Sequence, residues 1–125
     1  MKKIDKNNLE SFIEYYNGLH DSYFTNIIYD ILGETIDMDI DVFWSGEPTL
    51  KEDGTFETNK TKIKMKFSGI KKCKVKELYS FYIDNIYFNY INYNKNEVLC
   101  FATDELDPEF YIICENVEYE EIATS

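Results

Sequence analysis

The chain has 125 residues, 44% of them hydrophobic, with 24 acids against 13 lysines and a formal net charge of −11. That length supports one domain that removes about two thirds of its unfolded surface from water, with no need for disulfides or a structural metal. The composition excludes wholesale disorder, and the acidity opposes nucleic acid and anionic membrane over most of the surface.

Met1 to Asn8 carries charge with no apolar run behind it, so it does not read as a secretory signal. Leu9, Phe12, Ile13 and Tyr16 then recur at helical spacing and make one apolar stripe. Asn8 is placed to cap that helix, Glu10 suits its first turn and Gly18 its stop. A helix this short must dock on something to persist.

After Gly18 the period changes to two. Ser22 to Ile31 reads as a strand, and Gly33 and Glu34 as a turn. Ile36, Met38, Ile40 and Val42 alternate with Asp37, Asp39 and Asp41, which predicts a strand with one dry and one wet face. Ile63, Met65 and Phe67 alternate in the same way with Lys62, Lys64 and Lys66. Gly46, Pro48 and Asp53-Gly54 lie between, predicting a long hairpin that is irregular near Pro48. If the two strands pair, their wet faces coincide and Asp faces Lys, because a one-residue slip inverts a strand.

Gly69 permits a bend or bulge, and Lys71 to Glu77 alternates again around Cys73 and Val75. Leu78 to Ile83 is ambiguous between strand and helical turn. Ile86 to Tyr93, Val98 to Thr103 and Phe110 to Val117 read as strands, separated by turns at Asn94-Lys95-Asn96 and Asp104 to Pro108. Glu118 to Ser125 reads as an acidic tail that frays. The stretch Leu78 to Asn94 is broken by Asp84, Asn85, Asn89 and Asn92, so it does not suit a membrane helix. The expected fold is α+β, mostly β, in a single domain over 1–125: a six- or seven-stranded antiparallel meander, as a half-barrel or two-layer sheet, with one short N-terminal helix.

Cys73, Cys100 and Cys114 are odd in number, widely spaced and set among apolar residues. They read as free buried thiols of a reducing interior, so a cytoplasmic location is expected. There is no arginine, which removes the usual bidentate ligand of phosphate.

Lys60, Lys62, Lys64, Lys66, Lys71, Lys72, Lys74 and Lys76 have no acid between them, so residues 60–76 carry +8. The rest carries −19, five lysines against 24 acids. With Tyr87, Tyr90 and Tyr93 to follow, a single-strand nucleic-acid groove is conceivable. The Asp row available to neutralise the lysines favours internal pairing, so no nucleic-acid partner is expected.

The single histidine stands in His20-Asp21-Ser22. A triad needs three groups that converge in space, and neighbours along a strand point apart, so a structural corner is preferred over catalysis. Ser22 also lacks the Gly-x-Ser-x-Gly setting of a nucleophile elbow. Asp37, Asp39 and Asp41 would stand about 7 Å apart along a strand and could not wrap one ion, so no metal or other cofactor is expected.

Leu19-His20-Asp21-Ser22-Tyr23 after a short helix, followed by the alternating Thr35 to Val42, resembles a group of small bacterial proteins with a helix-to-strand His-Asp-Ser motif. Ile63-Lys64-Met65-Lys66-Phe67-Ser68-Gly69 is similar to the second half of that group. Some members are assigned as immunity proteins against polymorphic toxins. The resemblance implies a recurring structural corner at His20, Asp21 and Ser22 and supplies no catalytic mechanism.

Three functional readings follow. The preferred one is a non-catalytic module that binds a basic, toxin-like protein through Asp104, Glu105, Asp107, Glu109 and the tail acids Glu115, Glu118, Glu120 and Glu121. The next is a structural or self-associating β domain, such as a dimer, that uses the tyrosine-rich strand 86–93. The last is a small hydrolase-like enzyme in which His20 meets Asp21, Asp30 or Asp84.

Overall fold

The computed structural model describes residues 1–43, 45–46, 49–57, 60–74, 81–83 as backbone, 86–103, 108 and 110–122. Strand β1 (Lys2–Ile4) leads into helix α1 (Leu9–Tyr15) and a 3-10 turn (Asn17–Leu19). The strands β2 (Ser22–Asp30), β3 (Thr35–Val42), β4 (Thr49–Leu50), β5 (Phe56–Glu57) and β6 (Thr61–Lys74) follow. The chain then forms β7 (Phe81–Ile83), β8 (Tyr87–Tyr93), β9 (Asn96–Ala102) and β10 (Tyr111–Ile122). The main sheet runs β7-β2-β3-β6-β10-β9-β8, with β1 paired to β10, and β4-β5 form a separate small hairpin. Every pairing among the described residues is antiparallel. The α+β, mostly β class and the single α-helix among the described residues agree with the sequence.

Helix α1 forms for the predicted reason: Leu9, Phe12 and Tyr16 are buried and Ile13 packs on the same core. Its cap differs. Asn8 sits at the N-cap, but its side chain makes no capping bond to the helix. Its Oδ1 accepts the Asp5 N–H at 2.8 Å and its Nδ2 donates to the Lys3 carbonyl at 2.8 Å. Asn8 thus ties β1 to the helix start. Beyond α1, Gly18 has φ +64, the left-handed conformation that ends helices.

β3 pairs with β6 in the register the charges require, with Asp37 opposite Lys66, Asp39 opposite Lys64 and Asp41 opposite Lys62. On the other side of β6, Glu118 faces Lys66 and Glu120 faces Lys64, and Lys3 of β1 faces Glu118. The wet face therefore carries a row of lysines between two acidic rows. The alternate residues Ile36, Met38, Ile40, Ile63, Met65 and Phe67 are fully buried. The predicted fraying of Glu118 to Ser125 is corrected up to Ile122: these residues are held in β10 by β6 on one edge and in part by β1 on the other. Gly69, at φ +65, lies just before the register shift that leaves Lys71 unpaired in the β6–β10 ladder, so the expected bulge is present.

The sheet is strongly curled. β2 and β9 are four strands apart, about 19 Å in a flat sheet. Yet the rings of Phe24 on β2 and Phe101 on β9 stack with centroids 5.7 Å apart. Phe67, Phe88 and Phe110 pack around this pair, and α1 closes the core through Phe12 against Phe88 and Tyr119. The edge strands β7 and β8 are joined by only three intervening residues, so Ile83 and Tyr87 lie within about 14 Å. The sheet is an open half-barrel whose two edges approach one another.

The lysine row generates the first test. Lys64→Glu places a carboxylate between Asp39 and Glu120, whereas Lys64→Met removes charge only. The Glu variant is expected to lose about 1 kcal/mol in urea denaturation and to regain part of it at about 1 M salt. Equal stability of the two variants at low salt would show that the row has no electrostatic part in the fold.

Candidate functional site

The His20-Asp21-Ser22 corner joins the 3-10 turn to β2. Asp21 takes a left-handed backbone, φ +57, which folds neighbouring side chains together. His20 Nε2 lies 3.2 Å from Asp21 Oδ2, so these two groups touch where extended geometry would keep them apart. Ser22 turns the opposite way. It is fully buried, its neighbour Phe24 is core, and its Oγ has no hydrogen-bond partner among the described residues. The three residues form a corner in which the hydroxyl points away from solvent. Asp30 stands at the far end of β2, eight residues beyond Ser22 and across a bulge between Thr25 and Ile28. Asp84 lies outside the described residues.

The lysine-rich segment is flanked by acids from Lys62 to Lys66 and at Lys71, whereas Lys72 and Lys74 are exposed opposite Ile113 and Tyr111. Lys62 Nζ is 3.6 Å from Asp41 Oδ1, and Lys71 Nζ is 2.6 Å from Glu115 Oε1. Asp39 also accepts a 2.9 Å bond from Asn26 Nδ2. Lys76 lies outside the described residues. Among the described residues no three His, Cys, Asp or Glu side chains are grouped to hold a metal ion. No helix there is long and apolar enough to cross a membrane.

Of the acids expected to meet a partner, Asp104, Glu105, Asp107 and Glu109 lie outside the described residues. Glu115 is tied to Lys71, Glu118 faces Lys66 and Lys3, and Glu120 faces Lys64. Glu121 accepts a 2.8 Å bond from the Tyr16 hydroxyl. That bond lies in a groove of about 790 Å³ between α1 and the end of β10, lined by Lys2, Phe12, Tyr15, Tyr16 and Tyr119. Tyr15 and Tyr119 stand nearly perpendicular to Tyr16, with centroids 4.8 and 6.2 Å from it. The sequence pattern places Tyr16 on the helix stripe but cannot bring Glu121 to it across the fold.

A second concave surface, of about 350 Å³, lies on the outer face of the sheet at Tyr87, Ile91, Tyr93, Cys100, Tyr111 and Ile113. Of β8, Phe88 faces the core, while the alternate tyrosines 87 and 93 are half-buried on this outer face. At Tyr90 the backbone N–H bonds to the Asn89 side chain at 2.8 Å.

A third feature escapes the alternation rule. At the β2–β3 hairpin end, Ile28 is 63%, Ile31 72% and Leu32 98% exposed, with Tyr29 beside them. Asp30 and Glu34 flank this apolar tip and are exposed.

Compared with protein-family models, the chain matches none, and no curated protein matches it.

Burial raises the pKa of two core groups, Cys114 and Tyr16, and of the half-buried Cys100. The Cys114 thiol is pushed up from 9.0 to about 12 by burial, and burial also raises Cys100. Burial and then the bond to Glu121 raise Tyr16. In each case the fold favours the neutral form. Their contribution is complete below the ordinary pKa, 9.0 for the thiol and 10.0 for the phenol, and is lost as pH rises toward the folded-state value. The urea midpoint is expected to fall above about pH 9, and Tyr16→Phe to shallow that fall. An unchanged alkaline slope in Tyr16→Phe would remove Tyr16 as a cause. At the corner, Ser22→Ala removes an unsatisfied buried hydroxyl and is expected to raise stability by about 1 kcal/mol. A loss of stability instead would mean that the hydroxyl is bonded in solution.

Proposed function

We propose that the chain is a non-catalytic protein-binding module for a basic protein, of the toxin-immunity type that the His20 corner resembles. The observation that carries this reading is the enclosure of the lysine row. Lys62, Lys64 and Lys66 lie between Asp37, Asp39 and Asp41 on one side and Glu118 and Glu120 on the other. The lysines of the first half of β6 are thus flanked by acids within the sheet, and the far field is set by the net charge of −11. Such a field speeds encounter with a basic surface and opposes nucleic acid, whose affinity grows with the number of free cationic contacts. The corner supports a binding role in preference to a serine-dependent reaction, because Ser22 is inaccessible.

The test is co-expression with the protein encoded beside this one. A complex should survive purification at low salt, and its association rate should fall tenfold or more between about 0.01 and about 0.15 M ionic strength. The absence of both a complex and any protection of the host would overturn the reading.

A further inference from the structure

From the shape of the β2–β3 hairpin we infer that its tip is the anchor of the binding surface, inserted into an apolar pocket with a basic rim on the partner protein. This rests on the reading of the chain as a module for a basic protein. Four of the five residues from Ile28 to Leu32 are large hydrophobics, each at least 44% exposed, and Leu32 at 98% touches almost nothing. Ile28, opposite Asp37, and Tyr29, opposite Ile36, lie on the two faces of β2, and Ile31 and Leu32 project from the turn beyond them. Single exposed apolar residues are ordinary on a protein surface, but such a cluster at one hairpin end marks a contact site.

The tip is built to hold its shape. Asp30 Oδ1 accepts the Gly33 N–H at 3.1 Å, and the Ile31 carbonyl accepts the Glu34 N–H at 3.4 Å. The Glu34 carbonyl accepts the Ile70 N–H at 3.4 Å, which ties the turn to β6. Asp30 packs so closely that a Cβ on Gly33 would meet its Oδ2 at 2.8 Å. A turn fixed before binding has less entropy to lose when Ile31 and Leu32 enter a pocket.

Charge decides what the pocket belongs to. Asp30 and Glu34 stand at the tip, and the nearby Lys71 is engaged by Glu115. Two copies of the chain would bring four tip carboxylates and two net charges of −11 together. An anionic bilayer would meet the same acids. A pocket ringed by Lys or Arg accepts both the apolar tip and its acidic flanks.

The full chain, titrated calorimetrically with the protein encoded beside it, tests this. Leu32→Ser is expected to weaken the complex about ten- to a hundred-fold, the loss of one buried Leu, without moving the urea midpoint. Glu34→Gln is expected to cost less and to flatten the salt dependence. An Ile31→Ser/Leu32→Ser double variant that binds like wild type would overturn the anchor while leaving the binding reading intact. Failure of the wild-type chain to bind would overturn both. A concentration-dependent dimer in sedimentation, or retention on phosphatidylglycerol vesicles, that Leu32→Ser abolishes would assign the tip to a second copy or a membrane and overturn the proposal.

Discussion

Everything else in this fold depends on which way β6 faces. Lys62, Lys64 and Lys66 alternate with Ile63, Met65 and Phe67, so one choice of register decides both the core and the charged face. The dry choice is strongly driven, since each large apolar side chain buried is worth about 1.5–3 kcal/mol. Each cross-strand ion pair is worth at most about 1 kcal/mol, less where exposed. The charges are therefore weak as glue. They are stronger as a constraint on neighbours, because only strands with acids on the same face can flank β6 without cost. β3 brings three aspartates and β10 brings Glu118 and Glu120. That requirement puts two sequence-distant strands on either side of β6 and makes it the centre of the sheet.

Legibility in the sequence follows from the same physics. β3 and the first half of β6 are readable because one face is buried and one is wet, so the period of two is unbroken. α1 is readable because its stripe docks on a single surface. β1 is not readable: three residues of mixed character form a strand only because β10 offers an edge at Val117 to Tyr119. The far half of β10 is missed for the complementary reason. Its acids look like a solvated tail until Lys64, Lys66 and Lys3 are placed opposite them. Asn8 is a capping residue by type and position, yet its amide spans Lys3 and Asp5, a tertiary use that local propensity cannot foresee. Strand order is equally hidden, because the link from β7 to β8 carries the chain from one edge of the sheet to the other.

The site is less legible than the fold. The His20-Asp21-Ser22 motif draws attention because its residue types occur in catalytic machinery, but chemistry depends on where side chains point. A left-handed Asp21 joins His20 to a carboxylate and sends Ser22 into the core. The acids that looked available in the tail face lysines or a tyrosine, and so contribute to the fold first. By contrast, Ile31 reads as the end of a strand, and Leu32 falls between it and a turn at Gly33 and Glu34. Only the position of the turn shows that they are its projecting part, with Ile31 to Glu34 closing it.

On the reading proposed above, the hairpin tip fits the charge distribution to a basic partner better than to a second copy. An exposed Ile-Leu pair on a β-hairpin is an aggregation hazard when its surroundings are neutral. Here Asp30 is needed twice, once to bond the Gly33 amide and once as a charge beside the apolar surface. The residue that shapes the tip thereby repels other copies of it. Such a hazard can be retained at low risk in a chain of net charge −11, because every encounter between two copies begins with repulsion. A basic surface reverses that sign and leaves the apolar gain intact. The internal neutralisation of the lysine row is what makes the arrangement consistent: the positive charges support the sheet, and the exposed tip keeps a negative setting.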